Sequence, residues 1–410
     1  MHQTHFDPQP WMTAPATVAV MRALAEGGAV ARFVGGCVRD AVAGRPVADI
    51  DIATEAEPGR VMELLAAAGL KVVPTGLAHG TVTAVSGGKP YEITTLRRDV
   101  ETDGRRAVVA FTDDWVADAS RRDFTMNALS LDADGVMHDP FGGVDDLRAG
   151  RVRFVGDARQ RIAEDVLRLL RYFRFHAHYG RPPPDEEALA ACRGMAHLLV
   201  RLSAERVRTE VLKLLAAQDP APVLRLMRDE GVLGHFLAQA TGIDRMARLV
   251  AIEAQLRRVD PLRRLAALLP VDAQTAGHLA RGLRLSNRER DRLVAIAAPA
   301  LALTPDLDAA GRRRALYALG AETYCDLALV AWADAAAAPD DPAWRGLVEA
   351  ARGWVRPDLP VNGGDARRLG VEQGEAVGVA LRSVEAWWID GDFRADRRAC
   401  LDRLAELARG

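Results

Sequence analysis

The sequence predicts an α+β protein, with a small mixed α/β head over the first 150 residues and an all-helical remainder. Three observations predict it. Short apolar strand patterns separated by glycine turns crowd the first 150 residues. Beyond Gly150 the apolar spacing turns helical, with few β-branched runs. At 410 residues the chain is also long enough to bury more than one core.

Taken in order, Ala31 to Val34 is a short apolar strand that ends in Gly35-Gly36. Cys37 to Ala43 reads as a helix stopped by Gly44, and Val47 to Ala53 as a strand carrying Asp49 and Asp51. Thr54-x-x-Glu57 has the spacing of a capping box. It precedes a helix with Val61, Leu64, Leu65 and Ala68 on one face and Gly69 at its end. Gly80 to Ser86 and Pro90 to Leu96 are alternating strands joined by Gly87-Gly88, a hairpin signal. Leu129 to Leu131 and Val136 to His138 flank an Asp-Ala-Asp-Gly turn and form a second hairpin.

The helical part begins with Arg159 to Tyr179, which Arg181-Pro-Pro-Pro-Asp185 brings to an end, and continues with Ser203 to Ala217. Pro220, Pro222 and Pro261 mark later boundaries. The stretches 339–342 and 356–360 read as linkers or loops.

Composition excludes several classes. No apolar run is long enough to cross a bilayer; Leu293 to Leu303 comes nearest and is too short. The N-terminus lacks the basic and apolar regions of a secretory signal. Cys37, Cys192, Cys325 and Cys400 are scattered without a Cys-x-x-Cys pair, which argues against a disulfide framework or a zinc site. These features together predict a cytoplasmic location. A formal net charge of −2 argues against a nucleic-acid partner, but eight arginines fall between Arg148 and Arg174. They supply a basic stripe that an RNA backbone can use, or they reflect the codon bias of a GC-rich genome.

The densest chemistry lies in Gly35 to Asp51. Alternate residues of a strand share a face, so Asp49 and Asp51 can aim two carboxylates at one point. Paired carboxylates suit a hard cation such as Mg2+, and the amides of Gly35 and Gly36 can hold a phosphate. Metal plus phosphate cradle points to phosphoryl or nucleotidyl transfer. Glu92, in the neighbouring hairpin, is either a third acid of this cluster or an ordinary exposed strand glutamate. Arg39, one turn past the glycines, either meets a triphosphate through its planar fork or pairs with Asp40.

Two further blocks stand out, Arg121 to Leu129 and Glu164 to Phe175. The first has the form of backbone organised around an arginine aimed inward. In the second, Asp165 and Arg168 are helical neighbours at i and i+3. Arg171 flanks them, and Arg174 has turned away towards phosphate or structure. The alternative is a surface ladder of ion pairs over an apolar face. As a pair, a carboxylate accepts and a guanidinium donates. That fits the amine and N3 of cytosine or the amine and N1 of adenine. Guanine and uracil present the opposite order and would leave buried groups unpaired.

Together these blocks closely resemble the class II CCA-adding tRNA nucleotidyltransferases, relatives of bacterial poly(A) polymerase in the polymerase-β-like superfamily. The matching segments are Phe33 to Asp40 with Asp49 to Asp51, Arg121 to Leu129, Asp139-Pro140-Phe141-Gly142-Gly143, Glu164 to Phe175, and Ser203 to Glu210. They occur in the family's order over roughly Ala31 to Leu215, and Leu359 to Asp365 is similar to the start of the family's tail.

The resemblance implies a catalytic nucleotidyltransferase head at 1–150, a base-recognising neck at 151–235, and a tRNA-binding body and tail at 236–355 and 356–410. It implies Asp49 and Asp51 as Mg2+ ligands, with Gly36 and Arg39 at the nucleotide phosphates. Arg122, Asp165, Arg168, Arg171 and Arg174 would surround the incoming CTP or ATP. A two-metal in-line displacement would extend the 3′ end of tRNA, which the helical parts would grip by shape and phosphate contacts.

Poly(A) polymerases resemble this head but carry a basic stretch where this chain reads Gly76-Leu77-Ala78-His79-Gly80-Thr81-Val82, the form of the CCA enzymes. A CC-adding enzyme remains an alternative, since the Arg97 to Thr112 stretch departs from the acidic, tyrosine-bearing switch loop of some members. A silent RNA-binding relative would normally lack one of the paired aspartates. A fused phosphohydrolase would need a C-terminal His and Asp cluster, yet only His235 and His278 follow His197.

Overall fold

In the computed structural model, which describes residues 4–103 and 106–409, the chain divides into two compact units, Met1–Ala238 and Gln239–Gly410. Among the described residues the first unit carries a mixed sheet of eight strands. They are β1 (Thr4–His5), β2 (Ala31–Val34), β3 (Asp51–Thr54), β4 (Lys71–Gly76), β5 (Thr81–Ser86), β6 (Lys89–Thr95), β9 (Ser130–Leu131) and β10 (Val136–His138). Their spatial order is β1-β10-β9-β2-β3-β6-β5-β4. A separate hairpin pairs β7 (Arg97–Asp103) with β8 (Arg106–Phe111).

Both expected sheet hairpins form. Gly87 and Gly88 take φ values of 56° and 77°, which the tight turn between β5 and β6 requires. One face of the sheet is covered by α2 (Pro15–Glu26) and α4 (Pro58–Ala67), whose Val20, Leu24, Val61 and Leu65 bury against Phe33, Ile52, Val82 and Ile93. Strand alternation then places Ile52 in that core and leaves Asp51 on the opposite face.

Three local expectations need correcting. The strand starts at Asp51, not Val47, and Asp49 sits in a bend just before it. The two aspartates are therefore not alternate residues of one strand. Thr54 is no helix cap; it ends β3, and its hydroxyl donates to the carbonyl of Val30 at 2.7 Å. The following helix starts instead at Pro58, whose fixed φ suits a first turn, with Glu57 making no side-chain cap.

The third correction decides the site. The expected single helix from Arg159 to Tyr179 is two, α7 (Ala158–Glu164) and α8 (Leu167–Tyr179). Asp165 between them is extended, with φ −149° and ψ 105°. It ends the first helix, and its carboxylate accepts the amide of Leu167, the first residue of the second, at 3.1 Å. An aromatic cluster fastens α8 to the loop ahead of β9. Phe124 lies 4.9 Å from Phe154 and 5.1 Å from Phe175, and Phe154 stacks on Tyr172 at 5.9 Å. The unit also holds α3 (Gly36–Val42) and α10 (Ala204–Leu215).

The expected switch stretch, Arg97 to Thr112, is largely the β7/β8 hairpin, with a register irregularity between Asp99 and Glu101. The side chains of Asp99, Asp103 and Arg106, and Arg105 altogether, lie outside the described residues. Strands β1 and β4 were not expected; both are sheet edges, where one side of the strand has no partner to impose a pattern.

The second unit is helical throughout its described residues, from the helix Ile243–Leu256 to Arg397–Ala408. Pro261 opens one helix, and Asn362 with Asp365 forms a capping box ahead of another. Glu253 and Asp326, both buried, are neutralised by Arg263, Arg264 and Arg292 at 2.6 to 2.8 Å. Each acid is met by two arginines, so removing either acid would leave buried arginines short of a counter-charge. Among the described residues no helix is long and apolar enough to cross a membrane, and all four cysteines are buried and free.

Candidate active site

The turn after β2 sets the first side of the site. Gly35 has φ 68°, a backbone conformation that favours glycine, and a Cβ there would come within 2.9 Å of a nitrogen at the end of the Arg122 side chain. Arg39, from α3, is held in place completely. Its Nε and Nη2 donate to Asp40 at 3.0 and 3.1 Å, and its Nη1 donates to Asn127 Oδ1 at 2.8 Å. The guanidinium also lies 4.7 Å from the Tyr179 ring and 5.1 Å from Phe175. The Asp40 pairing and a place at the site are thus not alternatives; one supports the other.

Asp51 opens β3 and is paired in register with Glu92 of the parallel strand β6. Burial, and then the charges of Glu92 and Asp49, push its carboxyl above the ordinary range; Arg122 and Arg39 partly offset this. Glu92 and Asp49 are both exposed. Among the described residues no group of three His, Cys, Asp or Glu side chains is gathered closely enough to hold an ion.

A cavity of about 760 Å3 contains most of the predicted site. Gly35, Gly36, Arg39, Asp51 and Arg122 line it from the head, Asp165 from the junction of α7 and α8, and Arg168, Arg171 and Arg174 from α8. Asp49 and Glu92 do not line it. Glu92 instead lines a smaller cavity of about 260 Å3 with Arg121. Asp51 and Arg122 line both.

The arginines are each held by a named acid. Arg168 donates to Glu164 at 2.6 Å and to the carbonyls of Arg161 and Arg121 at 3.0 and 3.1 Å. Arg171 donates to Asp123 at 2.6 Å. Burial alone would raise Asp123, but Arg171, with Asn127 and the Phe124 amide, brings its carboxyl below the ordinary range. Arg174 pairs with buried Glu210 at 3.0 Å and lies 4.6 Å from the Phe175 ring. It has not turned away; it lines the same cavity. Asp165 and Arg168 are not neighbours on one helix either, because α7 ends at Glu164 and α8 starts at Leu167. Asp165 pairs with Arg206 of α10, whose Nη2 lies 2.9 and 2.7 Å from its two oxygens.

Six of the eight arginines of the expected basic stripe have acidic partners at 3.0 Å or closer. Arg151 and Arg153 converge on buried Asp146 at 2.8 Å each, Arg161 and Arg168 on Glu164, and Arg171 and Arg174 on Asp123 and Glu210. Arg161, Arg168, Arg171 and Arg174 turn inward, whereas Arg148, Arg151 and Arg159 are exposed. Sequence reasoning missed Asp123, Asn127, Glu164, Arg206 and Glu210 as site residues. All five lie inside the dense motif blocks, and the signal was the need of so many clustered arginines for acids.

Comparison with known proteins finds relatives over most of the chain. Residues 31–153 match the family described as Poly A polymerase head domain, and residues 184–242 match the probable RNA and SrmB-binding site of polymerase A. The mitochondrial CCA tRNA nucleotidyltransferase 1 of Mus musculus is 33% identical over 386 residues, 91% of this chain and 86% of its own. A CCA-adding enzyme of Limosilactobacillus fermentum is 32% identical, covering 95% of this chain and 96% of its own. Among solved structures, the Bacillus stearothermophilus CCA-adding enzyme in complex with CTP superposes with a TM-score of 0.81 at 29% identity, over 98% of each chain. The Thermotoga maritima CCA-adding enzyme complexed with tRNA shares the fold, with a TM-score of 0.64 at 23% identity.

Proposed function

The chain belongs to the CCA-adding tRNA nucleotidyltransferases, and from that premise we propose how its residues divide the work. The enzyme builds or repairs the 3′-terminal CCA of tRNA from CTP and ATP and releases pyrophosphate. One observation carries the proposed division, namely that Asp51 and Arg122 line two cavities at once. The larger cavity takes the nucleoside triphosphate and the smaller one the 3′ end of the tRNA, so the reacting hydroxyl and α-phosphate meet at Asp51.

In the larger cavity Gly35, Gly36, Arg39 and Arg122 receive the phosphates, with Arg39 oriented by Asp40 and Asn127. Arg171 and Arg174 add positive charge to the same wall. The donor chemistry fits a hard divalent cation. Asp51 is a carboxylate raised by burial and by neighbouring acids, a repulsion that a cation would relieve. Asp49 and Asp51 are the proposed Mg2+ ligands, with Glu92 beside them as the third acid. When bound, such ions would lower the pKa of the attacking 3′-hydroxyl and neutralise charge developing on the phosphates. The tRNA 3′ oxygen bonds to the α-phosphorus while the bond to the bridging α,β oxygen breaks, and pyrophosphate departs.

Asp165 and Arg168 read the base edge, Asp165 accepting from the amine of cytosine or adenine and Arg168 donating to N3 or N1. They do so as two residues brought to one cavity from either side of a helix break, each with its own holder. We assign 151–235 to the neck that carries these readers, and 236–355 and 356–410 to a body and tail that grip tRNA.

Incubating the enzyme with a tRNA lacking CCA, with CTP, ATP or both, tests the reading. C, C and A are added in turn and addition then stops. A long A tail would instead indicate a poly(A) polymerase, and a stop after two C residues a CC-adding enzyme.

A further inference from the structure

The residue that reads the base amine is not held by its own helix. Asp165 is extended between α7 and α8, so no helical geometry fixes its side chain. Two contacts do. The Leu167 amide reaches Oδ1 at 3.1 Å, and Arg206 Nη2 reaches Oδ1 at 2.9 Å and Oδ2 at 2.7 Å. A carboxylate offers roughly four acceptor positions. Leu167 takes one and Arg206 one on each oxygen, which leaves a single position, on Oδ2, for an incoming donor.

The two side chains retain 27% and 26% exposure and line the nucleotide cavity together. A half-exposed ion pair of this kind adds little to stability. Its effect is on orientation. It also completes a pattern, since Glu164 holds Arg168, Asp123 holds Arg171 and Glu210 pairs with Arg174.

We propose that Arg206 is a positioning residue for base selection, turning Asp165 so that one acceptor position meets the amine shared by cytosine and adenine. This rests on Asp165 reading the base. Without Arg206 the carboxylate keeps only its hydrogen bond from the Leu167 amide and can rotate. An oxygen could then turn aside, and the penalty against the carbonyl of uracil or guanine at the amine position falls. Arg206→Lys keeps the charge, but a freely rotating, strongly hydrated ammonium on a flexible stem fixes the orientation less firmly than a planar guanidinium nitrogen.

The test measures kcat/KM for CTP and for UTP at the first addition to a tRNA lacking CCA, using full-length enzyme. Arg206→Met lowers the CTP to UTP ratio by about tenfold or more, mainly through a raised KM for CTP, while the KM for tRNA stays put. Arg206→Lys falls between this variant and the wild type, and it carries the test if Arg206→Met does not fold. If CTP and UTP turnover fall together with their ratio intact, Arg206 is merely structural and the proposal is overturned. Asp165→Asn is measured alongside. If that variant keeps the ratio, the base-reading role of Asp165 fails. If it collapses the ratio while both Arg206 variants preserve it, only the role of Arg206 fails.

Discussion

Tyr179 donates its hydroxyl to Asp40 Oδ1 at 2.6 Å, tying the end of α8 to the helix that carries Arg39. The same oxygen accepts from Arg39 Nε, and the Tyr179 ring packs against the Arg39 guanidinium. One tyrosine therefore fixes both the acid that aims the arginine and the face on which it rests. If Arg39 receives the triphosphate, loosening this arrangement weakens nucleotide binding more than chemistry.

Tyr179→Phe separates the two contributions, because it keeps the ring and removes the hydroxyl. Loss of one hydrogen bond of this kind corresponds to about a 2- to 10-fold effect. The KM for CTP and ATP rises by that factor while kcat stays within about twofold. Tyr179→Ala, which also removes the stacking, raises KM further. Steady-state kinetics with saturating tRNA would decide it, and an unchanged KM in Tyr179→Ala would show that Arg39 has no part in binding phosphate.

Replacement of Asp49 or Asp51 by alanine is expected to abolish nucleotidyl transfer, by at least about a thousandfold, while tRNA binding survives. Asp51 is the stronger case, since it lines both cavities and its carboxyl is already raised by burial. Filter binding of tRNA beside a single-turnover incorporation assay separates the two outcomes. Near-normal turnover in either variant contradicts the metal assignment.

Burial also predicts a pH effect on stability. His176 lies in α8 with 8% exposure and stacks on Tyr172, and burial lowers its pKa from 6.5. His178 is lowered as well, by burial first and then by Arg45, Arg174 and Arg39. Below pH 6.5 the unfolded chain takes up protons that the folded chain resists. Stability therefore falls as pH drops through 6.5, and stops falling once the depressed native value is passed. The slope is at most about 1.4 kcal/mol per pH unit for each histidine. Thermal midpoints of wild type and His176→Phe between pH 7.5 and 5.5 check this, with the variant giving the shallower slope. Parallel curves would remove His176 from the account.

The sequence made the head legible wherever pattern and local chemistry agreed. Gly87-Gly88, the apolar alternation of β5 and β6, and Gly35-Gly36 at the start of α3 all specify their structures within a few residues. What could not be read was set at longer range. The start of β3 at Asp51 depends on its pairing with β2 and β6. Asp165 breaks a stretch that is helical by periodicity, because its carboxylate finds better partners in Leu167 and Arg206, the latter 41 positions away. Most site residues were legible as residues, but their partners were not, because an arginine in a motif does not announce which acid will hold it.

Glu92 is the least constrained member of the proposed catalytic set, and its register gives it a sharp test. It stands opposite Asp51 in a parallel pair, raises the Asp51 carboxyl by its charge, and lines the smaller cavity proposed for the tRNA 3′ end. Yet it is exposed and does not line the nucleotide cavity. A third acid acting on the tRNA 3′-hydroxyl contributes to turnover and not to nucleotide affinity. Glu92→Gln, which preserves size and strand geometry, then lowers kcat by about a hundredfold or more at unchanged KM for CTP. An ordinary strand glutamate gives a change of less than about threefold, within the range of exposed substitutions. Single-turnover rates with CTP and a tRNA lacking CCA distinguish the two, and a drop of under about threefold would remove Glu92 from the catalytic set while leaving Asp49 and Asp51 in place.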